Sequence, residues 1–262
     1  MIPVQVRLAV LETLVSSPEI SFVTFVCATG LALVHLFIGK LRFLGAIPRS
    51  RWLSMAAGAS VSYVFVHIFP ELSEAQTAIE QVNNGMVHFL EHHVYLMALL
   101  GFGIFYGLER LAKVSRQRNL EAGEGDTTSP NVFWLHIVSF ALYNALIGYL
   151  LLHREEAGWL SLLFFFVAMA LHFLVNDFGL YEHHKSSYKH VGRWILAVAI
   201  YVGWGIGRAT EINQAAIAVL FSFLAGGIIL NVLKEELPEE RQSRFWAFAV
   251  GSTVYAMLLL AA

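Results

Sequence analysis

FFFVAMALHFLVNDFGL, residues 164–180, is apolar enough to form most of a membrane helix, yet it carries His172, Asn176 and Asp177. Ionisable groups at that depth cost about 2.5–3.5 kcal/mol on insertion scales, and they are tolerated chiefly where they face a bundle interior, a partner or a wet cavity. The segment is therefore a functional-site candidate on physical grounds. His172 and Asn176 are four apart and share a helix face, whereas Asp177 lies roughly 140° round from His172. One helix thus addresses two neighbouring directions.

The rest of the chain has the same character. Of its 262 residues 57% are hydrophobic and 14% charged, with a mean hydropathy of +0.63, and apolar runs of about 20 residues recur. The composition predicts an all-α, polytopic membrane protein, expected as a single transmembrane domain over 1–262. Eight spans are expected, at about 21–39, 52–71, 90–113, 132–153, 158–180, 193–209, 213–233 and 245–262. Residues 1–20 lack a cleavage pattern and are expected to stay attached. The connections between spans 1–2, 3–4, 5–6 and 7–8 hold 14 of the 17 Lys and Arg residues. By the positive-inside rule both termini are then non-cytoplasmic. The long polar connection 114–131 is read as a mobile cytoplasmic loop. Cys27 is the single cysteine, which excludes intrachain disulfides and thiolate clusters.

An internal repeat accompanies these spans. AAG at 56–58 precedes FPEL at 69–72, and LAG at 224–226 precedes LPEE at 237–240, with the glycine and proline twelve residues apart in both copies. The two segments run oppositely in the assigned topology, which is the inverted-repeat arrangement of many transporters.

Further polar residues interrupt the spans. His136, Ser139, Tyr143 and Asn144 make a stripe in span 4, expected to pack antiparallel against span 5. Imidazole, carboxylate and amide donors on facing helices suit Zn²⁺ or another divalent first-row ion, and the competing reading is a polar network that holds the bundle together. His67 and Glu71 lie four apart at the outer end of span 2, beside Pro70, as an entrance pair or an interfacial cap. His88, Glu91, His92 and His93 on one side, and Glu182, His183, His184 and His190 on the other, are metal-friendly loop compositions. His35 and His153 are read as satisfied core histidines. No phosphate-binding glycine loop and no hydrolase motif is present, and the basic residues lack the clustering that nucleic acid requires.

On GASVSYVFVHIFPEL, GFGIFYGLERL, YNALIG, LHFLVNDFG and LAGGIILNVLKEELPE, the chain resembles the ZIP (Zrt/Irt-like) family of divalent-metal transporters over spans 2 to 8. The resemblance implies an eight-helix bundle, both ends outside, and a metal site between spans 4 and 5; it also implies a homodimer. The site diverges. The family's His-Asn-x-x-(Asp/Glu)-Gly becomes Tyr143 to Gly148, keeping Asn144 and Gly148, and its His-Glu-x-Pro-His-Glu becomes His172 to Asp177. A binuclear centre reduces to a mononuclear set of Asn144, His172, Asn176 and Asp177.

The resulting expectation is a transporter moving a divalent cation, zinc or another first-row ion, into the cytoplasm by alternating access across a plasma (cell inner) membrane. Asn144, His172, Asn176 and Asp177 would bind the ion, with His136 as an inner relay ligand and Tyr143, His67 and Glu71 along the pathway. No enzyme activity and no resident cofactor is expected, and the partners are the ion and the bilayer. The alternatives are a non-transporting ZIP-fold scaffold or sensor, and an intramembrane metal-dependent hydrolase using His172, Asp177 and His136.

Overall fold

The computed structural model describes residues 18–37, 51–80, 93–153, 158–212, 214–236 and 244–261. The described residues are helical throughout, apart from short turns, and contain no strand. The expectation for residues 1–17, and those for His88, Glu91 and His92, lie outside the described residues.

Pro18 opens α1 (Pro18–Phe37), where the amide hydrogen it lacks has no helical partner to lose. α2 (Arg51–Tyr63) passes through a wide turn, Val64–Ile68, into α3 (Phe69–Glu80). Pro70 explains that turn: it cannot donate to the carbonyl four residues back and its ring collides with it, so the chain adds a residue. The Phe69 N–H reaches back to the Val64 carbonyl instead. The proline that was expected to kink or end the helix therefore widens it by one turn, and the helix continues.

α4 (His93–Glu121) runs eight residues beyond its expected end at 113, so Val114–Glu121 is helix and only 122–129 connects to α5 (Pro130–Leu150). That connection is tied down: Asn119 Nδ2 donates to the Thr127 carbonyl at 2.8 Å, and the Thr128 N–H donates to the His183 carbonyl at 3.2 Å. α6 (Trp159–Ser187) also overruns its expected end, so His183 and His184, read as loop residues, lie on a buried helix face. The helix breaks at Lys185, whose φ of 42° no regular helix contains. A second wide turn, Tyr188–Gly192, leads into α7 (Arg193–Ala209), followed by α8 (Gln214–Glu236) and α9 (Phe245–Leu260).

Among the described residues six helical stretches are long and apolar enough to cross a membrane, and the stretch 159–209, 51 residues long, is one of them. Its length, about 76 Å if straight, is more than twice one hydrocarbon core. α9 is shorter, at 16 residues.

The interior is mainly apolar but also holds polar side chains, and many large apolar side chains face outward. His35, Asn144 and Asp177 are fully buried, whereas Leu142 is 69% and Trp246 79% exposed. Trp52, Trp134, Trp159, Trp194 and Trp246 are all exposed near the starts of helices, the placement of a membrane-interface belt.

Helices with no hydrophobic drive between them must approach by close packing. The three tightest pairs each use one glycine from either helix. In α2–α9 a Cβ on Gly58 would meet the Phe248 carbonyl at 2.2 Å, and one on Gly251 the Met55 carbonyl at 2.1 Å. In α4–α8 the reciprocal positions are Gly101 on Phe223 and Gly226 on Ala98; in α5–α7 they are Gly148 on Ile200 and Gly203 on Ala145. α6 sits among these pairs, packed on α1 and α2. α5 and α6, expected as antiparallel neighbours, are not one of the close backbone pairs: α7 takes the close face of α5, and α5 meets α6 through longer side chains.

Candidate functional site

Three polar layers follow one another along α6. Asp177 lies five residues, about 7.5 Å, below His172, and His184 a further seven, about 10.5 Å. Each layer draws its partners from different helices.

In the first layer the Tyr143 hydroxyl is hydrogen-bonded to His172 Nε2 at 2.9 Å. Both side chains are buried, and Phe105 packs edge-on against the Tyr143 ring. His172 is thus held in one orientation by a residue of α5.

The second layer is built round a residue outside the expected set. His35, on α1, lies with its Nδ1 2.7 Å from Asp177 Oδ2 and its Nε2 3.1 Å from Asn144 Nδ2. A carboxylate accepts only and an amide nitrogen donates only, so Nδ1 carries the proton and Nε2 the lone pair. Asp177 and Asn144, expected together, are therefore joined through His35. Asn144 Oδ1 is buried without a hydrogen-bond partner, and the Tyr188 hydroxyl stands beside the Asp177 carboxylate. Asn176 stands beside this layer, with Asn231 of α8 donating to its Oδ1 at 3.5 Å.

In the third layer Glu109 of α4 accepts from Lys234 Nζ of α8 at 2.9 Å and from His183 Nε2 at 3.0 Å. Beside it the Thr128 hydroxyl is hydrogen-bonded to His184 Nδ1 at 2.6 Å, and His184 Nε2 to His136 Nδ1 at 2.9 Å. His136 therefore belongs to this layer rather than to Asp177. Below it, Arg116 grips Asp126 with two nitrogens, and the guanidinium holds the Asp126 carboxyl below its ordinary range. Lys185 Nζ stands 3.9 Å from the same carboxylate.

The remaining expected pair is formed as spaced. His67 Nε2 lies 3.4 Å from Glu71 Oε1 across the wide turn, with the His67 ring packed at a tilt against Tyr63. His153 Nε2 donates to the Gly207 carbonyl at 2.8 Å, as a satisfied histidine should.

Glu109 and Lys234 are not among the site residues expected from the sequence, and His35 is expected only as a satisfied core histidine. Lys234 counts there only among the basic residues that set the topology, and Glu109 lies within α4, twelve residues before its end. His35 is a lone histidine in an apolar run, with partners 109 and 142 residues away.

Among the described residues no three His, Cys, Asp or Glu side chains form a ready metal cluster. The second layer offers one imidazole nitrogen, one carboxylate and one amide oxygen, a mixed donor set of the kind that first-row divalent ions accept. Comparison of the chain with protein-family models, with curated proteins and with solved structures finds no match.

Proposed function

We propose that this chain is an eight-span, ZIP-like transporter that carries a divalent first-row cation into the cytoplasm through the α6 layers. The observation that carries the reading is Asp177: a wholly buried carboxylate in an apolar bundle, with one oxygen held by His35 and the Tyr188 hydroxyl beside it. Intramembrane ionisable groups of this kind mark ion pathways and relays. Asn144 and Asp177 bind the ion in this reading. His172 and Asn176 line its route, His136 receives it on the inner side, and His67 and Glu71 stand at the entrance. The termini are non-cytoplasmic; the homodimer and the plasma-membrane address belong to the same reading.

The packing supports the inverted repeat. The reading takes 159–209 as two crossings and α9 as the last, and pairs α1, α2 and α4 with α7, α8 and α9. Under that exchange the contact α2–α9 maps onto α8–α4, and α1–α6 onto α7–α5; all four are close pairs. The repeat's own glycines, Gly58 and Gly226, sit at two of these crossings. Two related arms around central helices provide two interconvertible faces for alternating access.

A second reading, a ZIP-fold scaffold or sensor, is favoured by one observation: the polar side chains largely bond one another, with no three-residue metal cluster among the described residues. Uptake by proteoliposomes separates the two. The transporter reading expects the wild type to accumulate at least one of Zn²⁺, Mn²⁺, Fe²⁺, Co²⁺ and Cd²⁺ above empty liposomes, and folded protein that accumulates none of them contradicts it.

A further inference from the structure

His35 has the arrangement of a ligand held ready. Its Nδ1–H is fixed by a carboxylate, Asp177 Oδ2, which leaves Nε2 unprotonated. Metal-binding imidazoles are oriented in this way, with one nitrogen donating to a carboxylate so that the other presents its lone pair. Phe173 packs against the ring at 4.5 Å between centroids and limits its rotation. What caps the lone pair is the Asn144 amide nitrogen, and rotation of that amide about its last bond exchanges its N–H for Oδ1 at the same place.

A purely structural triad would leave no loose ends, because buried polar atoms are almost always paired. Here Asn144, which caps the His35 lone pair, keeps its own Oδ1 buried without a partner, while the Tyr188 hydroxyl stands beside the Asp177 carboxylate. Asn144 Oδ1 is the donor that a cation at Nε2 would recruit next, while Asp177, on the Nδ1 side of the ring, orients the imidazole and contributes its charge.

We infer that His35 is the imidazole ligand of the ion, binding through Nε2 together with Asn144 Oδ1 and with the charge of Asp177 beside it. The inference rests on the transport reading and sharpens it. Three helices, α1, α5 and α6, then converge on one ion, and α1 becomes part of the binding site rather than a lipid-facing support. Selectivity follows from the donors: one neutral imidazole favours Co²⁺ or Zn²⁺ over Mg²⁺ and Ca²⁺, which prefer all-oxygen shells.

The test is Co²⁺ binding to the purified full chain in detergent, read by the visible absorption of the bound ion, with Mg²⁺ as the control. The comparison set is the wild type, His35→Gln and, in a Cys27→Ser background, His35→Cys. The expected result is wild-type Co²⁺ binding that Mg²⁺ does not compete away, weakened roughly 10–100-fold in His35→Gln. In His35→Cys, Co²⁺ should produce a sulfur-to-metal charge-transfer band that the Cys27→Ser parent lacks. Wild-type affinity in folded His35→Gln, or Co²⁺ bound to folded His35→Cys without that band, overturns the role of His35 and leaves the transport reading standing. Folded wild type that binds neither Co²⁺ nor Zn²⁺ overturns both. Independently of any variant folding, the anomalous signal of Co²⁺ in crystals of the wild type should lie about 2.1 Å from His35 Nε2; a peak on His172 or His136 with His35 unligated contradicts the inference.

Discussion

Glu109 carries two donors at once, the Lys234 ammonium and the His183 imidazole, and joins α4 to α8 and α6. Removing one member of such a set leaves the others buried and under-paired, which costs more than the pair contributed. Lys234→Met should therefore lower unfolding stability by roughly 1–3 kcal/mol. Glu109→Gln combined with Lys234→Met should cost less than the two single changes added. A double-mutant cycle in denaturant measures the coupling, expected at about 0.5–3 kcal/mol; simple additivity would mean the ion pair has no net role. At this scale the sequence discloses a residue when its type conflicts with its surroundings. Asp177 in an apolar run does so at once. His35 does not, because a lone histidine in an apolar run reads as a satisfied core residue until its partners on α5 and α6 are known.

The crossings of α2–α9, α4–α8 and α5–α7 depend on glycines that allow backbone to meet backbone. The tightest is Gly203, where a Cβ would lie 1.7 Å from the Ala145 carbonyl oxygen. Gly203→Ala must push α5 and α7 apart, at a cost of about 1–3 kcal/mol or more. Gly103 on α4 has nothing within 4 Å, so Gly103→Ala should be neutral or stabilising by up to about 1 kcal/mol. Thermal unfolding in detergent compares the two, and equal effects would contradict the packing account. The helices themselves were legible from apolar run length, and their ends were not. Polar residues at 114–121 and 181–187 read as loop because nothing in their composition needs burial, but α4 carries the first on as an ordinary exposed helix. In α6, Glu109, His136 and Thr128 give His183 and His184 their buried partners. α5 and α6 meet through side chains in antiparallel order, as a short connection leads one to expect, but the glycine pair Gly148 and Gly203 gives the close backbone face of α5 to α7.

For the whole molecule, the distribution of polarity is the main physical fact: fully buried Asp177, His35 and Asn144 inside, Leu142, Trp246 and other large apolar side chains outside. That pattern suits apolar surroundings, and among the described residues it puts the polar layers along α6 away from the exposed apolar side chains. The account holds that the middle layer is an ion site rather than a structural knot. Uptake of Zn²⁺ and Co²⁺ into proteoliposomes by wild type and by Asp177→Asn, at matched folded protein, tests this most directly. The asparagine retains a carbonyl to accept the His35 Nδ1–H, so the fold is expected to survive while the charge is lost. The account predicts wild-type uptake reduced roughly 10–100-fold by the substitution; uptake by folded Asp177→Asn equal to that of the wild type would contradict it.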